Sequence, residues 1–419
     1  MKTYIKALKE AIENNNCNIK ILFEQYNTKA TNNNIRTILP NVHLKNTGAF
    51  FTEQSLATEA ITQFESTITT ESVVLDPNCG IGSLLIESSR QLDVCFLLSD
   101  TLKQWNCVLR GFDIQADFIE LTKLRIILEA LYRGVKKDCS IEEAISYLNN
   151  IELRDALTIS KLDVKNITHL FMNPPFVTTQ SPKRDYWKKG KTNSAAIFFD
   201  YYLRIIPENT NIVAILPDIL RSGPRFNHFR AFVSTMLLGK TKIWGVFSSS
   251  ADVDVFILSG KKLKNSCPIE WVSEPKFRGK KLSAEYDVCI GPLVAYRDKQ
   301  EGEVYPYFHP KNCKTWEVIT AISEFRAFKG KTITPPCILI KRTSSPSDKF
   351  RAAATLINLS QPIAVENHMI VVIPKDRTLQ SCKKLLKILV KPEINQFLNE
   401  QIRARHLTVG AIKSLPLFD

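Results

Sequence analysis

The hexapeptide FMNPPF, residues 171–176, ends an apolar run on two consecutive prolines and an aromatic ring. Each proline fixes φ and removes a backbone donor, so the segment is neither a helix interior nor a central strand. It offers acceptors held in place: the side-chain oxygen of Asn173 and the carbonyl of Pro174. A planar amino group donating to both has its lone pair drawn out of conjugation and aimed at an electrophile. Phe176 can lie flat on the heterocycle that carries the amine, and alignment then supplies much of the rate without a strong base. A rigid loop with no chemistry is the other reading of these residues.

Three acidic residues recur in comparable places. In VVLDPNCGIGSLLIE an apolar strand runs into Asp76, the chain turns through Pro77, Gly80 and Gly82, and Leu84 opens a helix. The glycines let the backbone pass close to a ligand and keep the helix start near the strand end; a plain strand-helix turn would use the same residues. No Gly-Lys-Ser/Thr follows, which argues against a phosphate-cradling loop. In LRGFDIQ a second strand ends at Asp113, placed to accept hydrogen bonds from a ribose diol. It lies further from the glycine turn than the usual roughly 20 residues, and an insertion around FLLSDTLKQWN accounts for the excess. Asp155 in ELRDAL precedes HLFMNPPF and could accept from an adenine amino group.

These residues need a scaffold that gathers strand ends. From ESVVLD to VDVFILSG, strand-length apolar runs alternate with longer helical periods, as in a parallel sheet flanked by helices. Strands are expected at Val73–Leu75, Val108–Phe112, His169–Met172, Ile212–Leu216, Ile243–Val246 and Val253–Leu258. In such α/β sheets the ligand lies beyond the carboxyl ends of the strands, where Asp76, Asp113, Asp155 and Asn173 all fall. Residues 1–47 read as short amphipathic helices packed on this domain, which spans 48–260. The basic run KKLKNSCP marks a linker, and 261–419 reads as a second, α+β domain of short strands rich in Pro, Lys and Arg.

The chain has 419 residues, 44% of them hydrophobic, with 56 Lys and Arg against 42 Asp and Glu, a formal charge of +14. Such a surface attracts polyanions, nucleic acid first. Nothing approaches a spanning helix and the start lacks the apolar core of a secretory signal, so a cytoplasmic location is expected. Ten cysteines form no C-x-x-C pair and six histidines no helical pair, which predicts neither a metal site nor disulfides.

GAFFTEQSLA (48–57), DPNCGIGSLL (76–85), GFDIQ, RDAL, NPPF and ILPDILRSGPRFNHFR (215–230) stand in the order seen in gamma-class DNA adenine-N6 methyltransferases of bacterial restriction-modification systems, which this chain resembles over nearly its whole length. IKRTSSP, VENHMIVV and HLTVGAIKSLPLFD resemble that family's target-recognition half. The resemblance implies a Rossmann-like methyltransferase fold and S-adenosylmethionine as cofactor. Thr52, Asp76, Cys79, Gly80 and Gly82 would then hold its methionine end, Asp113 and Ile114 its ribose, and Asp155 and Ala156 its adenine. Asn173, Pro174, Pro175 and Phe176 would be the catalytic loop, with Phe247 on the opposite face of the base. Asn78 and Ala156 depart from the family pattern, which bears on cofactor affinity.

A base inside a duplex must flip out to reach such a crevice, and backbone contacts must offset the unstacking. SPKRDYWKKGKTN carries Lys183, Arg184, Lys188, Lys189 and Lys191 beside Trp187; KFRGKK (276–281) and IKRTSS (340–345), with Lys341 and Arg342, are similar candidates for DNA phosphates, although solvated charge is the common use of such runs. The expected partner is double-stranded DNA, with any restriction endonuclease on a separate chain and a monomer compatible with the layout. RNA-base or protein-glutamine methylation, and a catalytically inactive DNA-recognition subunit, remain the alternatives.

Overall fold

The computed structural model of the chain describes residues 1–14, 18–38, 51–248, 251–264, 268–272 and 279–417. Two compact units, Met1–Trp271 and Val272–Asp419, divide it.

In the first unit the strands are β1 (Val74–Asp76), β2 (Leu109–Asp113), β3 (Ile151–Leu153), β4 (His169–Met172), β5 (Thr178–Gln180), β6 (Lys191–Asn193), β7 (Asn211–Pro217), β8 (Leu237–Ser248) and β9 (Ala251–Lys262). Seven form one sheet in the order β3-β2-β1-β4-β7-β9-β8. All pairings from β3 to β7 are parallel, and β9 runs antiparallel to both β7 and β8. Val74–Asp76, His169–Met172 and Ile212–Pro217 are buried throughout, the pattern of strands covered on both faces. From β1 the chain runs outward through β2 to β3, then returns to β4 on the other side. The carboxyl ends of β1 and β4 therefore flank the switch point where such sheets take ligands.

The strands read from sequence stand where expected, but β8 and β9 extend to 12 residues each. The three-residue β3 and the hairpin β5–β6 are additions. The excess spacing before Asp113 is filled by the helix Leu98–Val108, whose Trp105 is fully buried and donates Nε1–H to Asp93 O at 2.9 Å.

The N-terminal helices Lys2–Glu13 and Ile19–Tyr26 bury Ile5, Leu8, Ile12, Leu22, Phe23 and Tyr26 in the same core as the sheet. Arg125, in the helix Ala116–Tyr132, ties them in: its Nε donates to Tyr26 O at 2.8 Å and Asn27 Oδ1 at 3.1 Å, and its Nη1 to Ile81 O. Burial lowers this guanidinium to about 10. Replacing it with an apolar side chain would strand buried carbonyls, a loss on the order of 1–3 kcal/mol for each.

The second unit is α+β. Its five-stranded sheet places Met369–Pro374 and Cys337–Lys341 centrally, with Tyr286–Ile290 on one side and Ala354–Ile357 then Val318–Ile319 on the other. The helices Leu379–Leu389 and Pro392–Gln401 bury Leu385, Ile388, Ile394 and Phe397 in its core. A three-stranded sheet, Phe325–Phe328, Glu303–Phe308 and Ala364–Val365, completes it. The strand β9 continues through Gly260 to Lys262, and the units divide after Trp271 rather than at the basic run. Among the described residues no helix is long and apolar enough to cross a membrane.

Candidate active site

The turn after β1 is fastened by its neighbours. Cys79 N–H donates to Phe112 O at 2.9 Å and Gly80 N–H to Asp113 Oδ2 at 3.1 Å, both on β2. Thr122 Oγ1 donates to Gly80 O at 2.8 Å. Gly80 and Gly82 have φ of 52° and 82°, the left-handed region that glycine adopts freely. A Cβ on Gly82 would lie 2.6 Å from Thr122 Cγ2. Gly82 thus serves close helix packing and lines neither cavity described below, so the cofactor contact expected of it is replaced by a structural one.

Asp76 and Asp113 are the charged groups of this turn. Burial, opposed by the Asn78 N–H at 3.2 Å and reinforced by Asp113, pushes the Asp76 carboxyl from 3.8 up to about 8. Burial raises Asp113 too, against hydrogen bonds from Gln115 N–H at 2.8 Å and Gly80 N–H. Each Asp113 oxygen accepts one of these bonds and retains capacity for another. Asp155 is exposed; its Oδ1 accepts from Leu157 N–H at 2.9 Å, capping a short 3-10 turn.

Asn173 follows β4, and its Nδ2 donates to Thr52 Oγ1 at 2.9 Å. The loop behind it is held by Ser194, the first residue of the helix Ser194–Ile205. Ser194 Oγ donates to Pro175 O and accepts from Val177 N–H at 3.1 Å, while its N–H donates to Val177 O at 2.8 Å. Asn193 caps this helix by accepting from Ala195 N–H at 2.9 Å.

Two cavities open on this ring of residues. One, of about 180 Å³, is lined by Asp113, Ile114, Asp155, Ala156, Asn173 and Pro175 among others. A smaller one of about 30 Å³ is lined by Thr52, Asp76, Cys79, Gly80 and Asn173 among others. Both share Phe51, Asn78, Gly80 and Asn173. The Asn78 Oδ1 atom is buried with no hydrogen-bond partner among the described residues. An elongated ligand with a hydroxylated middle and a polar end fits this set of acceptors, and a nucleoside carrying an amino-acid tail is such a ligand.

Sequence reading missed Arg154, Gln115, Phe118 and Phe198 in the larger cavity. Arg154 and Gln115 adjoin the acids already singled out; Phe198 comes from a helix with no motif, so only the fold could supply it. Phe247 departs from its expected role. It is 1% exposed, part of the core, and meets Phe176 edge to face with centroids 5.6 Å apart. Two rings clasping a base must stand about twice the normal stacking distance apart, and these touch each other.

The basic run beyond the loop is the hairpin β5–β6. Lys183, Lys188, Lys189 and Lys191 are exposed on it. Arg184 is exposed as well, and its guanidinium also lies 3.3 Å from the fully buried Asp200, which binds Arg204 at 2.9 Å and the Tyr186 hydroxyl. That guanidinium pairs with Asp200 while its side chain stays half exposed. In the second unit Lys341 ends the strand Cys337–Lys341 and Arg342 follows it, both half-buried. Burial pushes the Cys313 thiol up to about 12, with nearby Lys341 a partial offset, while Arg342 Nη1 donates to Asn367 O at 3.4 Å. Gly48, Ala49 and Phe50 of the first motif, Lys276, Phe277 and Arg278 of KFRGKK, and the terminal Phe418 and Asp419 lie outside the described residues.

Comparison with known proteins adds the family. The model of N-6 DNA Methylase matches residues 38–218, which hold the glycine turn, the three acids and the Asn-Pro-Pro-Phe loop. That stretch is similar to the N-6 DNA methylase family. No curated protein sequence matches the chain. Among solved structures it is similar to the type IIL restriction-modification enzyme MmeI in complex with DNA, at 12% identity and TM-score 0.54, covering 90% of this chain and 69% of that one. The type IIG restriction endonuclease BpuSI aligns at 14% identity and TM-score 0.45, with 92% of this chain and 60% of that one covered. A type I restriction-modification methyltransferase subunit from Streptococcus thermophilus aligns at 15% and 0.35, covering 54% and 52%. Likeness to MmeI at this identity is likeness of fold. The chain spans less than two thirds of the length of the BpuSI structure.

Proposed function

We propose that this chain is an N-6 DNA methylase that transfers a methyl group from S-adenosylmethionine to the N6 amino group of an adenine extruded from double-stranded DNA, as the modification activity of a restriction-modification system. The observation that carries this reading is the convergence of Asp76, Asp113, Asp155 and Asn173, from four strand ends, on two adjoining cavities.

The cofactor, when bound, supplies an electrophilic methyl group on sulfur. Asp113 and the exposed Ile114 would hold its ribose, Asp155 and Ala156 its adenine, and Thr52, Asp76, Cys79 and Gly80 its amino-acid end, with the Asn78 amide oxygen as a further acceptor. The Asn173 amide oxygen and the Pro174 carbonyl accept the two N6 protons of the target, Phe176 faces the base, and Ser194 holds the following carbonyl. The amine reaches the methyl group already aligned, and its surplus proton leaves to solvent after transfer. Entry of the base requires the Phe176–Phe247 contact to part.

The unit Val272–Asp419 is the target-recognition domain of this reading, and Lys183, Lys188, Lys189 and Lys191 are phosphate contacts in it. Restriction cleavage is assigned to a separate chain.

The test is a base-resolution map of methylated adenines in plasmid DNA from a methylation-deficient host expressing this chain or its Asn173→Ala variant. One adenine modified within a fixed short sequence, and lost in the variant, is expected. Unmodified DNA with both, alongside methylated RNA or protein, would overturn the substrate assignment.

A further inference from the structure

The helix Ala116–Tyr132 holds two consecutive carbonyls of the glycine turn with two of its own side chains. Thr122 Oγ1 donates to Gly80 O at 2.8 Å, and Arg125 Nη1 donates to Ile81 O. Helix residues at this spacing stand on one face, so both straps pull from the same side. In a planar trans peptide the N–H points opposite to the carbonyl. Fixing Gly80 O therefore sets the direction of the Ile81 N–H, and fixing Ile81 O sets that of the Gly82 N–H, which closes on Cys79 O at 2.7 Å. Ile81 lines the smaller cavity together with Thr52, Asp76 and Ser83.

The second strap is gripped in turn by the N-terminal helices. Arg125 Nε donates to Tyr26 O at 2.8 Å and to Asn27 Oδ1 at 3.1 Å, and Asn27 Nδ2 returns a bond to Arg125 O at 3.0 Å. A guanidinium is planar, so anchoring Nε fixes where Nη1 points. Tyr26, Asn27 and Arg125 are all buried, which shields these bonds from water. Glu129, further along the same helix, is engaged by Arg90 at 3.1 and 2.9 Å, and the partners of Arg125 among the described residues are neutral oxygens. Its charge therefore strengthens the bonds to the carbonyls it holds. Asn27 also reaches the site itself: with Thr28, Thr52, Ser83 and Arg125 it lines a cavity of about 20 Å³ that shares Thr52 and Ser83 with the smaller active-site cavity.

We propose that Arg125 is a positioning residue for the glycine turn and that the N-terminal helices, through Tyr26 and Asn27, set the affinity of the protein for the amino-acid end of S-adenosylmethionine. The segment ahead of the sheet then acts on one end of the cofactor, while the nucleoside end, at Asp113 and Asp155 in the larger cavity, is left alone. The inference rests on reading the smaller cavity as the place of the amino-acid end. It gives the N-terminal helices a part in the site beyond enlarging the core.

The experiment titrates the full-length protein calorimetrically with S-adenosylmethionine and, separately, with methylthioadenosine, which keeps the nucleoside and the sulfur but lacks the amino-acid end. Asn27→Ala is expected to weaken S-adenosylmethionine about threefold to tenfold, the range of one or two lost hydrogen bonds, and to leave methylthioadenosine unchanged. Arg125→Lys keeps the charge without the fork and should weaken S-adenosylmethionine by about tenfold or more, with the same selectivity. Thr122→Val, which cuts the strap to Gly80 O, should behave like Asn27→Ala, and these two variants decide the question if Arg125→Lys fails to fold. Equal weakening of both ligands would mean a general loosening of the domain and overturn the positioning role. Unchanged S-adenosylmethionine affinity in folded variants of a protein that methylates DNA would overturn it and leave the function standing. A wild type that binds neither ligand would remove both.

Discussion

The amide nitrogen of Asn173 donates to the hydroxyl of Thr52 across 2.9 Å and 121 residues of sequence. Thr52 is 5% exposed, so the bond is shielded from water. With the nitrogen committed to Thr52, the amide oxygen of Asn173 is turned the other way, the orientation an acceptor for the target amine needs. Thr52, expected only as a cofactor contact, also orients the Asn173 amide, the catalytic amide of the proposed function.

Thr52→Val keeps the shape and removes the acceptor of the Asn173 amide N–H, weakening the hold on its orientation. The expected outcome is a kcat lower by about tenfold or more, for a lost bond of roughly 1–3 kcal/mol, with KM for the cofactor changed far less. Thr52→Ser should retain most activity. Steady-state methyl transfer to DNA checks both, and equal loss in the valine and serine variants would refute the assignment.

Ser194→Ala removes the donor to Pro175 O and the acceptor of Val177 N–H together. The prolines of the loop have no N–H to donate, so they cannot replace the hydroxyl at that carbonyl. We expect kcat to fall about tenfold, a loss on the order of 1.4 kcal/mol in the transition state, while cofactor affinity measured by calorimetry holds and Ser194→Thr restores turnover.

Gly82→Ala places a methyl group 2.6 Å from Thr122 Cγ2 at a φ of 82°. Left-handed strain of roughly 1–2 kcal/mol adds to the collision, and urea unfolding should show a loss of about 2–4 kcal/mol, within the range of single-site strain and overpacking. Thr122→Ser deletes the offending methyl but keeps the hydroxyl that donates to Gly80 O. Combined with Gly82→Ala it should recover part of the loss, and strict additivity in the double-mutant cycle would contradict the contact.

Asp76 has a folded value near 8 against 3.8 ordinarily, so between those limits the folded protein holds a proton that the unfolded chain releases. Stability from this group is therefore greatest below about pH 4 and declines as pH rises towards 8. The difference in unfolding free energy between wild type and Asp76→Asn should move in the variant's favour across that window. A cofactor whose charged end is cationic favours the ionised carboxylate, so binding at pH 7 should release part of a proton. Calorimetry in buffers of different ionisation enthalpy reads this directly; no proton release at pH 7 would show that Asp76 is already ionised in the free protein.

The sheet was legible because its strands are apolar on both faces, as Ile212–Leu216 and His169–Met172 illustrate, and because acids and Asn173 punctuate their ends. The hairpin β5–β6 was not, since its residues are polar and its pairing depends on Ser181 N–H meeting Gly190 O across a loop. Arg184 is exposed like its lysine neighbours, and only the fold shows that Asp200 pairs with it. Phe247 shows the limit in the other direction: an aromatic in the expected order can still be core, because burial depends on what the sheet packs against it. Phe198 and Ser194 reach the site from one helix whose start was readable only as the capping pattern at Asn193.

The two borders of the seven-stranded sheet differ from its interior. On one side β3 offers three residues; on the other β8 presents exposed Lys240 and Lys242 and breaks register between Ile243 and Gly245 and again between Val246 and Ser248. A border of unpaired backbone groups invites another chain to dock as an additional strand, and shortness, lysines and bulges each frustrate that docking. The sheet that gathers the site is thereby guarded against self-association into extended aggregates, so a substitution of Lys240 and Lys242 by β-branched apolar residues would endanger solubility before it touched turnover.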